Sequence, residues 1–166
     1  MATELQNTAE SPENLPEGKN RVITIIVSQW NEKITSALLD GAMKTLKKAG
    51  VEDEDLVVIR VPGCFELPYA AQQAALLTSP HAIICLGCVI RGETPHFDYV
   101  CQAATHGILH ASLNTSIPVI FGVLTVDNLQ QAEDRAGGKY GNKGVEAACT
   151  ALEMTKFTYL DITDQF

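Results

Sequence analysis

Residues 91–98 combine a potential anion-binding site with a titratable base. Their sequence is Arg-Gly-Glu-Thr-Pro-His-Phe-Asp, and they lie between the apolar run 82–90 and a segment with helical spacing of apolar residues. Thr94 is a favourable helix N-cap, and Pro95 suits the first helical position. A helix N-terminus presents unpaired backbone N–H groups and the positive end of the helix dipole, which favours phosphate. Because the His96 imidazole follows directly, the segment predicts acid–base chemistry on a phosphorylated substrate.

The composition narrows the classes of function. The 166 residues, 46% of them hydrophobic, suffice for one domain with a sizeable core. The net charge of -8 argues against sequence-independent nucleic-acid binding, which needs a basic face. No apolar run reaches membrane-spanning length, and the N-terminus resembles neither a signal peptide nor a transit peptide, so we expect no membrane partner. The five cysteines, an odd number in apolar contexts, favour reduced thiols and a cytoplasmic location.

The chain divides into a polar arm and one domain. Residues 1–20 are polar and contain two prolines, so we expect a flexible arm, with a single α/β domain over residues 21–166. Within the domain, apolar runs alternate with helical patterns, which predicts parallel strands with helices on both faces of the sheet. The predicted strands are 21–27, 56–61, 82–90 and 118–126, and the helices are 34–49, an Ala-rich segment ending near 77, 95–111, 129–136 and 142–156.

Polar and aromatic residues cluster where the predicted strands end. In parallel sheets, ligands bind beyond the carboxyl ends of the strands, so these residues define the candidate site. The residues at those ends are Trp30, Asn31, residues 63–66, residues 88–96, Phe121 and, in a glycine-rich link, Arg135, Lys139 and Lys143.

Two spacings typical of metal sites do not predict one here. Cys85 and Cys88 are separated by two residues, but in a strand their side chains point to opposite faces, and no second cysteine pair exists. His106 and His110 are four residues apart on a helix but lack the glutamate of the metalloprotease motif. We therefore expect neither a metal nor an organic cofactor.

Three segments of the chain, residues 61–68, 87–98 and 135–144, resemble the signature blocks of the lumazine synthase family in order and spacing. The similarity covers roughly residues 21–156. It implies a flavodoxin-like three-layer αβα sandwich with a central four-stranded parallel sheet. It also implies a transferase that condenses 5-amino-6-(D-ribitylamino)uracil with L-3,4-dihydroxy-2-butanone 4-phosphate. The products would be 6,7-dimethyl-8-ribityllumazine, phosphate and water, in the penultimate step of riboflavin biosynthesis.

The resemblance also implies which residues bind the pyrimidine. The indole would stack on the pyrimidine ring, residues 64–66 would line the pocket for the ribityl chain, and residues 88–90 would meet the uracil edge through backbone groups. These residues are Trp30, Cys64, Phe65, Glu66, Cys88, Val89 and Ile90.

The same resemblance implies a second group of residues, which would bind the phosphorylated substrate. Glu93 and Thr94 would hold the phosphate, and we expect Glu93 to contribute its backbone N–H because its carboxylate would repel an anion. His96 would carry protons. Phe121 and Arg135 would complete the pocket from a neighbouring subunit, with the Arg135 guanidinium offering a planar fork of donors for phosphate. The implied assembly is a homopentamer, of a kind that can build a 60-subunit icosahedral capsid.

Other interpretations of these residues remain open at the level of sequence. A non-catalytic flavin or nucleotide carrier would use the same fold, although residues 28–31 lack the glycine-rich phosphate turn of such proteins. A structural shell protein is a second alternative. Trp30 could be a packed rim residue, Glu66 a solvated residue at a helix N-terminus, and Arg91 a member of a purely structural ion pair.

Overall fold

Four parallel strands form the central sheet in the order β2-β1-β3-β4. They are β1 (Ile23–Ser28), β2 (Leu56–Val61), β3 (Ala82–Ile90) and β4 (Val119–Val126). The structure, a computed structural model, describes residues 14–158, so the arm expected over residues 1–20 and the expected domain end at residue 166 lie partly outside the described residues. Every residue of β1 and the first seven of β3 are buried, because both faces of the sheet are covered.

Helices cover the two faces in pairs, which confirms the predicted three-layer α/β sandwich of the flavodoxin-like type. On one face lie α1 (Glu32–Lys48) and α5 (Lys143–Met154), and on the other lie α2 (Leu67–Leu77) and α3 (His96–Thr115). The short helix α4 (Leu129–Asp134) follows β4. No helix within residues 14–158 has both the length and the apolar character needed to cross a lipid bilayer.

Alternation along the strands sends side chains into two separate cores. Ile84 and Leu86 of β3 pack with α1 and α5, whereas Ile83 and Cys85 pack with α2 and α3. All four side chains have no exposed surface. The two central strands therefore consist almost wholly of apolar residues, which is the pattern that the sequence shows.

The glycine-rich link contains a small hairpin that the sequence analysis did not predict. Strand β5 (Ala136–Gly138) pairs antiparallel with β6 (Gly141–Asn142). Asn142 then caps α5, since its Oδ1 accepts from Gly144 N at 2.8 Å, while its Nδ2 donates to Ala37 O at 2.9 Å. A Cβ on Gly144 would lie 1.9 Å from Leu38 O, so only glycine allows α5 to approach α1 this closely.

His81 joins the amino ends of two strands. Its Nδ1 accepts a hydrogen bond from Val22 N at 2.8 Å, its backbone N–H donates to Val22 O at 2.8 Å, and its carbonyl accepts from Thr158 Oγ1 at 2.5 Å. Burial lowers the pKa of His81 from the ordinary 6.5, and the positive charge of Arg21 lowers it further, against the opposing effect of Asp55. The neutral imidazole is therefore the form that the folded chain favours.

Acidification is expected to weaken the fold through His81. Because the folded pKa lies below that of the unfolded chain, the stabilisation is present above about pH 6.5 and is lost as the pH falls towards the folded pKa. His81→Asn keeps an acceptor for Val22 N–H but does not titrate. When the pH is lowered from about 7.5 to about 5, we expect the apparent melting temperature of the wild type to fall by about 2–4 °C more than that of this variant. This difference corresponds to the contribution of about one hydrogen bond to the free energy of unfolding. Parallel losses in both proteins would contradict this role.

Candidate active site

A cavity of about 200 Å³ opens at the carboxyl edge of the sheet, and we call it the first cavity. It brings together six of the residues that the resemblance assigns to the site, and they come from four separate segments of the chain. Its walls are Trp30, Asn31, Cys64, Cys88, Val89, Ile90, His96 and Val100. An aromatic face, strand-end backbone and an imidazole thus share one space.

The first cavity exists because β3 extends further than β1. Pairing between β1 and β3 ends at Val27 and Leu86, whereas pairing between β3 and β4 continues to Ile90 and Val126. The last residues of β3 therefore have a strand neighbour on one side only. On the open side, backbone donors and acceptors face the cavity instead of a strand.

Asn31 occupies part of this open side. It adopts a left-handed conformation (φ 60°, ψ 44°), which asparagine tolerates, and its carbonyl accepts from Ile34 N at 2.9 Å to start α1. Its Nδ2 donates to Cys88 O at 2.9 Å. Asn31 was expected among the strand-end residues that define the candidate site, although the resemblance assigns it no role, and its tolerance of left-handed backbone after a strand was the available signal.

The six-membered ring of the Trp30 indole packs against a glycine. A Cβ on Gly63 would stand 2.5 Å from the indole Cε3 and Cζ3 atoms, so the ring packs on the Gly63 backbone. The backbone of Trp30 is held by a 3.1 Å hydrogen bond from its N–H to Pro62 O. The side chain is nevertheless 64% exposed, which leaves aromatic surface free for stacking.

The two cysteines of the first cavity lie in surroundings that favour the protonated thiol over the thiolate. Burial raises the pKa of Cys64, outweighing the hydrogen bond to Ser28, whose Oγ lies 3.8 Å from the Cys64 Sγ. Burial, together with the nearby Cys64, raises the pKa of Cys88 to about 12. Since the thiolate is the reactive form, burial disfavours a nucleophilic role for both side chains, which form part of the cavity wall.

Phe65 and Glu66 lie beside the first cavity and not on its wall. They belong to a 3₁₀ turn, Cys64–Glu66, that follows the glycine under the indole. Glu66 Oε2 accepts from Gly63 N at 2.9 Å, which places the carboxylate next to Trp30, and Phe65 is largely exposed. One carboxylate oxygen of Glu66 is therefore engaged in shaping the turn.

Helix α3 begins without the cap that the sequence suggested. The helix starts at His96, preceded by Pro95, and no side chain caps it, so the expected capping by Thr94 is wrong. Pro95 O accepts from Asp98 N at 3.0 Å, but the N–H groups of Glu93 and Thr94 donate no hydrogen bond within residues 14–158. Both residues are exposed, and their N–H groups can therefore serve an anion at this helix end.

Phe121 and Arg135 line a different cavity. This second cavity, of about 360 Å³, runs along β4, which is an edge strand of the sheet. Lys143 also lines it, and the Arg135 guanidinium lies 5.3 Å from the Tyr140 ring centroid. Within one chain, the structure therefore divides the predicted site residues between two places.

The comparisons with known proteins agree on one family. The model of the 6,7-dimethyl-8-ribityllumazine synthase family matches residues 20–158. The chain is 53% identical over 159 residues to the 6,7-dimethyl-8-ribityllumazine synthase of Parabacteroides distasonis, covering 95% of this chain and 99% of that protein. The proteins of the same name from Bacteroides fragilis (53% over 135 residues, 81% and 94% coverage) and Porphyromonas gingivalis (50% over 155 residues, 93% and 96% coverage) are similar over most of their length.

The packing of Trp30 on Gly63 predicts the effect of a single methyl group. Gly63→Ala should push the indole away from the turn, because the backbone of Gly63 is extended (φ -142°) and the added Cβ collides with the ring rather than straining the chain. We expect red-shifted Trp30 emission and about twofold stronger quenching by acrylamide, since the exposed ring is the part that moves. Gly92→Ala is the matched control, because its Cβ meets no atom within 4 Å. Identical spectra for all three proteins would contradict this packing.

Proposed function

Because the chain belongs to the 6,7-dimethyl-8-ribityllumazine synthase family, we infer that its first cavity is the place where the family's reaction occurs. The enzyme is a transferase of riboflavin biosynthesis. It condenses 5-amino-6-(D-ribitylamino)uracil with L-3,4-dihydroxy-2-butanone 4-phosphate to give 6,7-dimethyl-8-ribityllumazine, phosphate and water. The observation that carries the location is the meeting of the indole, the open edge of β3 and the His96 imidazole in one cavity.

The pyrimidine is proposed to bind along the open edge of β3. The exposed indole of Trp30 offers a stacking surface, and the backbone N–H and C=O of Ile90, which point to the open side of β3, suit a donor and an acceptor of the uracil ring, while Val89 contributes to the cavity wall. Asn31 holds Cys88 O and so keeps the strand end in position. The ribityl chain would run towards Cys64, Phe65 and Glu66, where the second carboxylate oxygen of Glu66 can accept from hydroxyl groups.

The phosphate is proposed to bind at the amino end of α3. The exposed N–H groups of Glu93 and Thr94 and the helix dipole favour a dianion there. His96, the first residue of the helix, lies between this position and the pyrimidine. An imidazole in that place can move the protons that attack on the ketone, imine formation, phosphate elimination and ring closure require. Holding two substrates together supplies much of the remaining acceleration.

The site is proposed to be completed by a neighbouring copy of the chain. Phe121 and Arg135 line a cavity at the sheet edge, away from the first cavity, so a second protomer would bring its edge to this one in a head-to-tail contact. Repetition of such a contact closes a ring, in agreement with the homopentamer implied by the family, and pentamers can build a 60-subunit capsid. We place the enzyme in the cytoplasm because all five cysteines are free.

Turnover by the wild type and by His96→Asn tests the activity and the role of the imidazole. The wild type should release one phosphate for each fluorescent lumazine formed. In the variant, we expect kcat to fall about 100-fold with little change in either KM, because proton transfer is lost while binding groups remain. If the wild type binds both substrates without turnover, the result would indicate a carrier. If it forms particles and has no activity, the result would indicate a shell protein. A comparable loss of pyrimidine affinity in the variant would contradict the assignment to His96.

Mixed assemblies test whether the site is shared between protomers. Arg135→Gln should raise the KM for the butanone phosphate, as expected for loss of a phosphate-binding fork. When chains carrying His96→Asn and chains carrying Arg135→Gln are co-expressed, about one quarter of the sites would combine both native residues at a head-to-tail interface. With the butanone phosphate well below the raised KM, we therefore expect activity well above that of either variant, and light scattering gives the size of the mixed particles. Activity no higher than the average of the two variants would place both residues in one subunit.

A further inference from the structure

Arg91 makes three contacts that centre on the segment carrying His96. Its Nε donates to Asp127 Oδ1 at 3.0 Å, and its Nη1 donates to Asp98 Oδ1 at 3.3 Å. Its Cζ lies 4.0 Å from the centroid of the Phe97 ring, and that ring is buried. We call these four residues the Arg91 clamp. Arg91 itself lines neither of the two cavities.

The Arg91 clamp joins both ends of a loop that has little else to hold it. Arg91 N donates to Val126 O at 2.8 Å, next to the last paired residues of β3 and β4, and the loop 92–95 leaves from there. The loop returns to α3, whose first turn contains Phe97 and Asp98. Between these ends, residues 92–95 are exposed, and a Cβ on Gly92 would meet no atom within 4 Å. The position of the loop is therefore set from its two ends.

Stability alone does not account for these ion pairs. The side chains of Arg91, Asp98 and Asp127 are 45%, 54% and 66% exposed. Ion pairs at that exposure contribute little to the free energy of unfolding, because water and salt screen them. The Arg91 clamp instead fixes the orientation of the guanidinium, because a planar group in contact with two carboxylates and a ring face has one favourable orientation.

Charge gives a second reason for the Arg91 contacts. Asp98 lies in the first turn of a helix that no side chain caps, and carboxylates in that turn are attracted to the free N–H groups. An unrestrained Asp98 would therefore compete with, and repel, an anion at the same helix end. The contact between Arg91 Nη1 and Asp98 Oδ1 places a positive charge beside this carboxylate and restrains it.

We propose that Arg91 is a positioning residue for the phosphorylated substrate, acting through the loop 92–95 and through Asp98 without touching the phosphate. This inference rests on the phosphate site proposed above. It predicts that loss of Arg91 weakens phosphate binding specifically, and that removing the charge of Asp98 reverses part of that loss.

The test compares Arg91→Gln with the wild type in steady-state kinetics and in calorimetric titration with inorganic phosphate. We expect the KM for the butanone phosphate and the Kd for inorganic phosphate to rise about tenfold, with the pyrimidine KM changed by less than about twofold. Arg91→Lys keeps the charge but not the planar fork, so it should be impaired to an intermediate degree. Lys47→Gln is the control, because it removes an exposed ion pair between Lys47 of α1 and Asp53. Its KM values and its Kd for inorganic phosphate should equal those of the wild type.

The double variant Arg91→Gln/Asp98→Asn decides between positioning and direct contact. Recovery of part or most of the affinity for inorganic phosphate, beyond the gain that Asp98→Asn alone gives the wild type, supports positioning, because the effects of the two residues are then coupled. No recovery, or equal rises in both KM values, would overturn the proposal. An inactive wild type would contradict the proposed function instead, and phosphate binding by the same variants would still decide the role of Arg91.

Discussion

The unequal length of two neighbouring strands is the constraint on which the rest of the site depends. Pairing of β3 with β1 stops at Val27 and Leu86, and pairing of β3 with β4 continues for four more residues. Backbone polar groups are costly to leave without partners, so a strand end with one open side calls for a ligand or a side chain there. Asn31 takes one of these positions, the Cys64 side chain also contacts the Cys88 backbone, and Val89 and Ile90 line the first cavity. The cavity is thus a consequence of sheet register, and the side chains around it add chemistry to a place that the backbone has created.

The amino end of α3 also leaves backbone groups without partners. The helix begins at His96 without a side-chain cap, although capping residues commonly stabilise helix ends by about 1 kcal/mol. The free N–H groups cost some stability, but they leave room for an anion. The Arg91 contacts lie beside this end and restrain the Asp98 carboxylate. The local stability of the loop and the availability of its N–H groups are therefore opposed, which is common where proteins bind ligands.

The separation of the predicted site residues into two cavities connects function to assembly. His96 and Trp30 line the first cavity, and Phe121 and Arg135 line the second cavity along an edge strand. Parallel sheets with exposed edges require cover, and a second copy of the chain can supply both that cover and the missing side chains. Under the proposed head-to-tail contact, the edge of the sheet would be a functional surface, and each pocket would draw on residues of two protomers.

The sequence by itself determined the layers, the four strands and the edge of the sheet at which a site would lie. Apolar runs of strand length and helical spacings carry that information, because burial on both faces demands apolar residues whatever the partners are. Other features depend on residues far apart in the chain. The hairpin of β5 and β6 is held by Asn142 contacts with α1, and the sequence around it predicts only a glycine-rich link. The bond of Asn31 to Cys88, and the Arg91 contacts with Asp98 and Asp127, arise only once the strand ends are adjacent. Composition and periodicity are local properties, whereas register and side-chain pairing follow from tertiary packing, and for that reason only the structure decided them.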